Sequence, residues 1–207
     1  MAAMTFGPDF AISMAWAAWV LSWWLAAAWR KPAIKRPPQV QEWIHLTPTA
    51  IGIWMLFSTH AAVGDSTRQV FNIRGRLFEP IQLWSTPAAA GWACFVLTVA
   101  GFLFCWWARV HLGRLWSGSI TLKSDHRVVD TGPYRLVRHP IYTGLIMAAL
   151  GMALEKATLL AMAGLGLLTF GLWLKARFEE RFLRTQLGKE AYDAYATRTP
   201  MLLPLKF

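Results

Sequence analysis

The residues best suited to chemistry lie in one short stretch, 131–144, with the sequence TGPYRLVRHPIYTG. Pro140 suits the first turn of a helix, where its missing N–H costs little, and it keeps His139 out of the helical region. Arg138 and His139 are therefore expected at a helix N-terminus, whose free N–H groups and positive dipole end favour an anion. The side-chain donors of this stretch are those of Tyr134, Arg135, Arg138, His139 and Tyr142. Anchoring of a membrane helix would use the same residue types, so their spacing leaves both interpretations open.

A second cluster of charged residues spans 175–195, with the sequence KARFEERFLRTQLGKEAYDAY. Its apolar residues recur at helical spacing, which predicts an amphipathic helix lying against the rest of the protein or against lipid headgroups. Glu180 and Arg184 form an i,i+4 pair of the kind found on solvated helix faces, and we expect that role for Glu180. Glu179 is the more interesting carboxylate, because a charge this close to a long apolar run is costly without a partner.

Other catalytic signatures are missing from the sequence. It contains no HExxH, no CxxC, no nucleophile elbow and no glycine-rich nucleotide fingerprint. His45, His60 and His111 lack the spacing of metal ligands, so no metal site is expected. Cys94 and Cys105 would lie about 16 Å apart on one helix, beyond the reach of a disulfide.

Long apolar runs must position the two clusters. The chain has 207 residues, of which 56% are apolar and only 15% charged, a composition far from that of a soluble domain. Three runs without charge are each long enough to cross a hydrocarbon core: 10–29, 44–63 and 88–108. The segment between the second and third runs, 64–87, is expected to be an interfacial helix or a packed loop, with no assigned function.

A fourth apolar stretch, 140–174, carries only Glu155 and Lys156, near its centre. As one helix it would be about 52 Å long, so two helices that turn at these charges fit a bilayer better. Small residues in this stretch would allow close helix contact, namely Gly151, Gly164, Gly166 and Gly171. The sequence thus predicts an all-α integral membrane bundle of about five transmembrane helices, the last two a hairpin, with a cytoplasmic loop and a C-terminal amphipathic helix.

A single membrane domain over 1–207 is the simplest organisation. Residues 1–108 would form three spans, and 109–207 a loop, the helical hairpin and the C-terminal helix. Of the 21 Lys and Arg residues, 17 follow the first span, the third span or the fifth span, and so lie on one side. The excess of basic residues marks the cytoplasmic side, which places the N-terminus outside and the C-terminus inside. The net charge of +10 is then an orientation signal, and nucleic-acid binding is not expected.

The two clusters together also follow a family pattern. It runs Gly132-x-Tyr134-x-x-x-Arg138-His139-Pro140-x-Tyr142-x-Gly144, then the apolar hairpin, then Glu179-Glu180, Leu187-Gly188 and Tyr192-x-x-Tyr195, before Pro200 and Pro204. With this pattern, residues from about 110 to 207 resemble the isoprenylcysteine carboxyl methyltransferase family, and its prokaryotic members in particular. The N-terminal half is similar only in having apolar spans.

The resemblance implies methyl transfer from S-adenosylmethionine (AdoMet) by an integral membrane enzyme. In the family, an arginine four residues before a glutamate contacts the substrate carboxylate; Lys175 stands at that position here and Arg177 follows it, so both are expected to hold the acceptor's head group. Lysine supplies the charge of arginine without its bidentate fork. The residues that the resemblance assigns to the cofactor are His126, Arg127, Val128, Val129, Tyr134, Arg138, His139, Pro140, Ile141, Tyr142 and Glu179.

The expected partners are a small lipophilic acceptor and membrane lipids, with no nucleic acid and no obligate protein partner, in a bacterial inner membrane. An isoprenylcysteine-type carboxylate is the acceptor most like the family's, and a phospholipid amine or a thiol are alternatives. An NADPH-dependent membrane reductase of the sterol type is a second enzyme class, although those proteins carry Asp after the glycine where this chain has Leu145. A non-catalytic membrane protein is the third class, and two clusters on one predicted face argue against it.

Overall fold

The computed structural model describes residues 6–29, 39–58, 81–113, 116 and 129–204. These residues form six α-helices and no strand, apart from an isolated bridge between Gln82 and Thr158. The prediction of an all-α fold is confirmed for this part of the chain. The helices are α1 (Pro8–Ala26), α2 (Gln39–Ser58), α3 (Ala88–Leu112), α4 (Pro140–Lys156), α5 (Leu159–Leu187) and α6 (Lys189–Arg198).

Two of the described helices are long and apolar enough to cross a membrane. They are α3, with a mean hydropathy of 2.0 over its most apolar part, and α5 from Leu159 to Gln186, with 1.7. The helix α4 has 17 residues and is therefore about 26 Å long. Helices α1 and α2 coincide with predicted runs, and α2 begins five residues before the run did. The total of five spans stays a prediction.

The predicted hairpin is present, and it turns directly after Glu155 and Lys156. Ala157 adopts the left-handed conformation, with φ 53, and its N–H still bonds to Ala153 O, which ends α4. The Thr158 side chain then accepts a hydrogen bond from the Ala161 N–H and caps α5. The two apolar helices can therefore be antiparallel neighbours, which brings the start of α4 to the same end of the molecule as the second half of α5.

Each helix of the hairpin packs closely against a different N-terminal helix. A Cβ atom on Gly144 of α4 would lie 2.5 Å from Gly101 O of α3, and one on Gly164 of α5 would lie 2.8 Å from Gly52 O of α2. Gly151 and Gly171 make contacts of the same kind, as expected. Gly166 does not: a Cβ there would meet nothing within 4 Å, so the expectation of a close contact at Gly166 is wrong.

The structure corrects the position of one basic residue. Arg109 is one of the basic residues predicted to lie in the cytoplasmic loop after the third span, yet it belongs to α3 and is only 1% exposed. Its guanidinium donates to Ala26 O at 2.8 Å and to Gly113 O at 2.7 Å, and it lies 4.4 Å from the centre of the Trp116 ring. Because carbonyl groups at helix ends lack partners within the helix, one buried cation here satisfies the ends of both α1 and α3.

The cluster at 175–195 is not one amphipathic helix. Residues up to Leu187 continue α5, which thus reaches 29 residues, and a separate short helix α6 starts at Lys189. Gly188 between them has φ +97, a conformation that favours glycine, so the chain changes direction there. This bend lets α6 return toward the start of α4.

Candidate functional site

The candidate site lies where the start of α4 meets the second half of α5. Tyr142 is on the first turn of α4, and its hydroxyl donates to Glu179 Oε2 of α5 at 2.7 Å. The Glu179 side chain is 30% exposed, so this carboxylate remains accessible while one of its oxygens is bound. Two residues that the sequence assigned to the cofactor, 37 positions apart, are therefore in direct contact.

Glu180, the neighbouring carboxylate, has a different set of partners. Its Oε1 accepts from Arg138 Nε at 2.7 Å, and its Oε2 accepts from Arg138 Nη2 at 3.2 Å. The expected pair with Arg184 is not formed, since Arg184 bonds to Asp193 at 2.7 Å. The prediction of a solvated Glu180 is wrong because this face of α5 is covered by the start of α4, which local spacing could not reveal.

His139 lies between the two carboxylates. Its Nε2 is 3.1 Å from Glu180 Oε1, and its Nδ1 is 3.8 Å from Glu179 Oε2. An ionised carboxylate only accepts hydrogen bonds, so Nε2 must carry the proton shared with Glu180. The imidazole also stacks on the ring of Tyr142, with centroids 5.2 Å apart and an interplanar angle of 4°. The imidazole is therefore held by both its edge and its face.

The C-terminal segment covers the start of α4. Pro200 O accepts from the Arg138 N–H at 2.8 Å, and Met201 O accepts from the His139 N–H at 3.1 Å. One turn later, Thr143 Oγ1 donates to Leu202 O at 2.7 Å. These two backbone N–H groups are therefore not free for an anion, which corrects the expectation of an open helix N-terminus at this point.

Tyr134 reaches the site from the 3-10 turn Gly132–Arg135. It is 8% exposed, and its carbonyl accepts from the Tyr195 hydroxyl of α6 at 2.7 Å. Burial raises the pKa of the Tyr134 phenol, and the negative charge of Glu179 raises it further. The phenol therefore stays neutral at physiological pH. Gly132 has φ +57 and packs against the ring of His111, which orients this turn.

The two basic residues expected to hold an acceptor point in different directions. Lys175 Nζ lies 5.3 Å from the centre of the Tyr142 ring, at the edge of the candidate site. Arg177 is exposed on another face of α5, with its guanidinium 5.5 Å from the ring of Trp173. The helical step of about 100° per residue separates them, so the structure brings Lys175 into the cluster and leaves Arg177 outside it.

Of the six remaining residues predicted to bind the cofactor, the structure describes three. Pro140 is buried, and the carbonyl of Ile141 accepts from Cys105 Sγ at 3.2 Å, so both hold α4 against α3. Val129 is half-buried just before the 3-10 turn. His126, Arg127 and Val128 lie outside the described residues.

Sequence reasoning missed two features of the site, the role of Glu180 and the contribution of the C-terminal segment. The Glu179-Glu180 pair of the family pattern indicated that Glu180 could belong to the site. The i,i+4 spacing of Glu180 and Arg184, however, predicted the wrong partner. The backbone carbonyls of residues 196–202 carry no sequence signal, because every residue has a carbonyl group.

Comparison with known proteins gives this geometry a context. Residues 93–185 match the isoprenylcysteine carboxyl methyltransferase (ICMT) family, and this segment includes α4, most of α5 and the contacts of Tyr142, His139 and Glu179. This segment of the chain is therefore similar to the ICMT family. Members of the family are integral membrane proteins, in accord with the two apolar helices α3 and α5.

The chain is also similar to three individual proteins. The cobalt-zinc-cadmium resistance protein CzcN of Cupriavidus metallidurans is 35% identical over 116 residues, covering 55% of this chain and 51% of CzcN. The nickel-cobalt-cadmium resistance protein NccN of Alcaligenes xylosoxydans xylosoxydans is 29% identical over 181 residues, covering 84% and 72%. A probable protein-S-isoprenylcysteine O-methyltransferase of Oryza sativa is 30% identical over 112 residues, covering 53% and 58%. The chain thus spans about half the length of the first of these relatives.

Proposed function

We propose that this protein is a member of the ICMT family and transfers a methyl group from AdoMet to a small lipophilic acceptor at the membrane. The observation that carries the proposal is the contact between Tyr142 and Glu179, with His139 stacked on the same tyrosine. It joins three of the residues that the family pattern assigns to the cofactor. The similarity to a probable protein-S-isoprenylcysteine O-methyltransferase over 112 residues supports the proposal.

The residue types at the cluster fit AdoMet, which carries an ammonium, a sulfonium and a carboxylate. Carboxylates and aromatic faces stabilise organic cations, and Glu179 beside Tyr142 offers both in a partly buried place. Tyr134 adds a second neutral phenol within the range of the Glu179 charge. Glu179 would hold the ammonium, and the unprotonated Nδ1 of His139 would accept a hydrogen bond from the same ammonium, since Nε2 is bound to Glu180.

When bound, AdoMet supplies an electrophilic methyl group on a positively charged sulfur. The protein then has to orient an acceptor in line with that carbon and exclude water. Lys175 is suited to hold an anionic head group, because its amine lies 5.3 Å from the centre of the Tyr142 ring, at the edge of the cluster. The lipophilic part of the acceptor would lie among the apolar helices.

We further propose a carboxylate as the acceptor group, as in isoprenylcysteine. An ionised carboxylate loses no proton when it is methylated, so the site needs no general base. Lys175 at the edge of the cluster supports an anionic acceptor over an amine. A phospholipid amine or a thiol would have to release a proton, and both remain outcomes of the test below.

The test is to purify the protein in detergent, reconstitute it in lipid nanodiscs and measure AdoMet and NADPH binding. We expect AdoMet to bind, and we expect Glu179→Gln and His139→Ala each to weaken binding by about tenfold or more, since each removes a charge-assisted contact. Glu190→Gln is the matched control, because Glu190 is an exposed carboxylate at the start of α6. Absence of AdoMet binding in both detergent and nanodiscs would contradict the proposal, and binding of NADPH alone would favour the reductase class.

The stability of the methylated product in alkali identifies the acceptor group. Bacterial lipid extracts and prenylated cysteine analogues are incubated with the protein and with AdoMet labelled in its methyl group. A carboxyl methyl ester releases volatile labelled methanol in alkali, whereas methylated amines and thioethers keep the label. Label that remains non-volatile after alkali would rule out the carboxylate acceptor.

A further inference from the structure

Glu180 is bound too completely to hold a ligand itself. Its side chain is 13% exposed, and its two oxygens accept three hydrogen bonds from Arg138 and His139. The contact with Arg138 is bidentate, the strongest geometry that a carboxylate and a guanidinium can form. Any effect of Glu180 on a bound cofactor must therefore pass through the residues that it contacts.

The contact with Glu180 determines the state of His139. Hydrogen bonding to a carboxylate places a proton on Nε2 and leaves Nδ1 facing Glu179, at 3.8 Å from Oε2. The stack on Tyr142 restricts rotation of the ring, and the bond from its N–H to Met201 O fixes its backbone. Without Glu180, the edge of the imidazole would lose its hydrogen-bond acceptor, and the ring could bind a ligand through either nitrogen.

Two adjacent carboxylates thus have separate roles. Successive residues of a helix point about 100° apart, so Glu179 and Glu180 cannot serve the same partner equally. Glu179 is the more exposed and contacts Tyr142, whereas Glu180 is buried and contacts the residues just before α4. This division explains why a pair is present where one ligand-binding carboxylate would suffice.

Arg138 connects Glu180 to the C-terminal segment. Its guanidinium donates to Ala196 O at 2.8 Å and to Thr199 O at 2.5 Å, in addition to the two bonds with Glu180. The end of α6, the start of α4 and the second half of α5 therefore meet at one ion pair. A buried carboxylate needs such a partner, because an unpaired charge there would be strongly destabilising.

We propose that Glu180 is a positioning residue of the cofactor site, which acts through His139 and is itself held by Arg138. The inference rests on the proposed function, because it assumes that His139 contacts AdoMet. Glu180 then sets which ring nitrogen of His139 faces the cofactor and keeps the imidazole parallel to Tyr142.

The first test is a double-mutant cycle on AdoMet affinity, with Glu180→Gln, His139→Ala and the double variant. Glutamine keeps the shape of the side chain and removes its charge. We expect Glu180→Gln to weaken binding by roughly tenfold to a hundredfold, the range seen when a carboxylate that orients a metal-binding histidine is removed. Because Glu180 acts through His139, the double variant should bind AdoMet no more weakly than His139→Ala. Additive losses would overturn the proposal, since Glu180 would then act independently of His139.

The second test needs no ligand. The ¹⁵N signals of the His139 ring report its protonated nitrogen, and they are identified by their loss in His139→Ala. We expect one tautomer, protonated at Nε2, in the unmodified protein and a changed signal in Glu180→Gln. Unchanged His139 signals would overturn the proposal, whatever the binding data show. If the unmodified protein binds no AdoMet, the proposed function fails, and these signals alone decide whether Glu180 positions His139.

Two further variants separate positioning from folding. Asp193→Asn is the matched control, because Asp193 accepts from Arg184 in a partly exposed ion pair beside the site; it should leave AdoMet binding and the His139 signals unchanged. If Glu180→Gln does not fold, Glu180→Asp takes its place, since it keeps the charge and withdraws the carboxylate by one methylene. The His139 signals should still change in that variant, and their persistence would overturn the proposal equally.

Discussion

At the scale of single residues, the site is defined by the hydrogen-bond partner of each polar side chain. Glu179 and Glu180 are neighbours in the sequence, but one contacts the first turn of α4 and the other contacts the two residues before it. The chemistry proposed for this protein depends on that difference. Two predictions concern individual side chains.

The first concerns the hydroxyl of Tyr142. Tyr142→Phe removes the hydrogen bond to Glu179 and keeps the ring that stacks on His139. We expect AdoMet affinity to fall about tenfold, because a hydrogen bond to a charged group contributes on the order of 1.5–3 kcal/mol. Tyr142→Ala, which also removes the ring, should bind AdoMet more weakly still. The measurement is a dissociation constant in nanodiscs, and equal affinities for the phenylalanine variant and the unmodified protein would show that the hydroxyl does not position Glu179.

The second residue-scale prediction concerns the buried Arg109. Arg109→Ala leaves the Ala26 and Gly113 carbonyls without their donor and removes the contact with Trp116. We expect it to lower the free energy of unfolding by about 2–4 kcal/mol, as is typical when a buried polar network loses its charged member. Thermal unfolding in detergent measures the effect. Arg177→Ala is the control, since Arg177 is exposed; a melting temperature as low as that of Arg109→Ala would contradict this assignment.

At the scale of helices, close packing rather than polarity holds the hairpin in place. Helix α4 lies against α3, and α5 against α2, through glycines at which the backbones approach directly. Small residues permit such contacts in a membrane, where apolar side chains alone gain little from association. The arrangement brings Tyr142 and Glu179 to one end of the hairpin.

A pair of glycine variants tests this packing. Gly144→Ala places a methyl group 2.5 Å from Gly101 O, so α3 and α4 would have to separate. Gly166→Ala places the same group in open space, where alanine should stabilise the helix by up to about 1 kcal/mol. We expect a lower melting temperature for the first variant and an equal or higher one for the second. Equal destabilisation by both would mean that the α3–α4 contact is looser than described.

At the scale of the whole molecule, charge is distributed unevenly between the two ends. Among the described residues, every Lys and Arg except Lys156 lies at the end that carries Glu179. The positive-inside rule assigns this end to the cytoplasm, so AdoMet, a cytoplasmic metabolite, would reach the site from that side. We therefore predict that the end of the molecule that carries Glu179 faces the cytoplasm.

Two engineered cysteines test the orientation, in a background without Cys94 and Cys105. Ile81 and Leu203 are 63% and 59% exposed; Ile81 adjoins the hairpin turn, while Leu203 adjoins the start of α4. On intact spheroplasts, a membrane-impermeant thiol reagent should label Ile81→Cys and should label Leu203→Cys only after permeabilisation. The reverse pattern would place the candidate site outside the cell.

The sequence by itself determined the features that depend on local runs of residues. The apolar stretches predicted the helices, the pair Glu155 and Lys156 predicted the turn, and the family pattern predicted which side chains belong to the candidate site. Apolar length, charge and turn propensity are properties of neighbouring residues, which is why a linear chain reveals them. The assignments of Tyr142 and Glu179 could thus be made before their contact was known.

Only the tertiary structure decided which of these residues meet. Glu180 is bound by a side chain 42 positions away, Arg109 by a carbonyl 83 positions away, and His139 by the backbone of the C-terminal segment. Local spacing suggested a nearer partner for Glu180 and a place in the loop after the third span for Arg109. Both expectations were wrong for one physical reason: a charged group near a membrane must find a partner, and helix packing determines which partner is within reach.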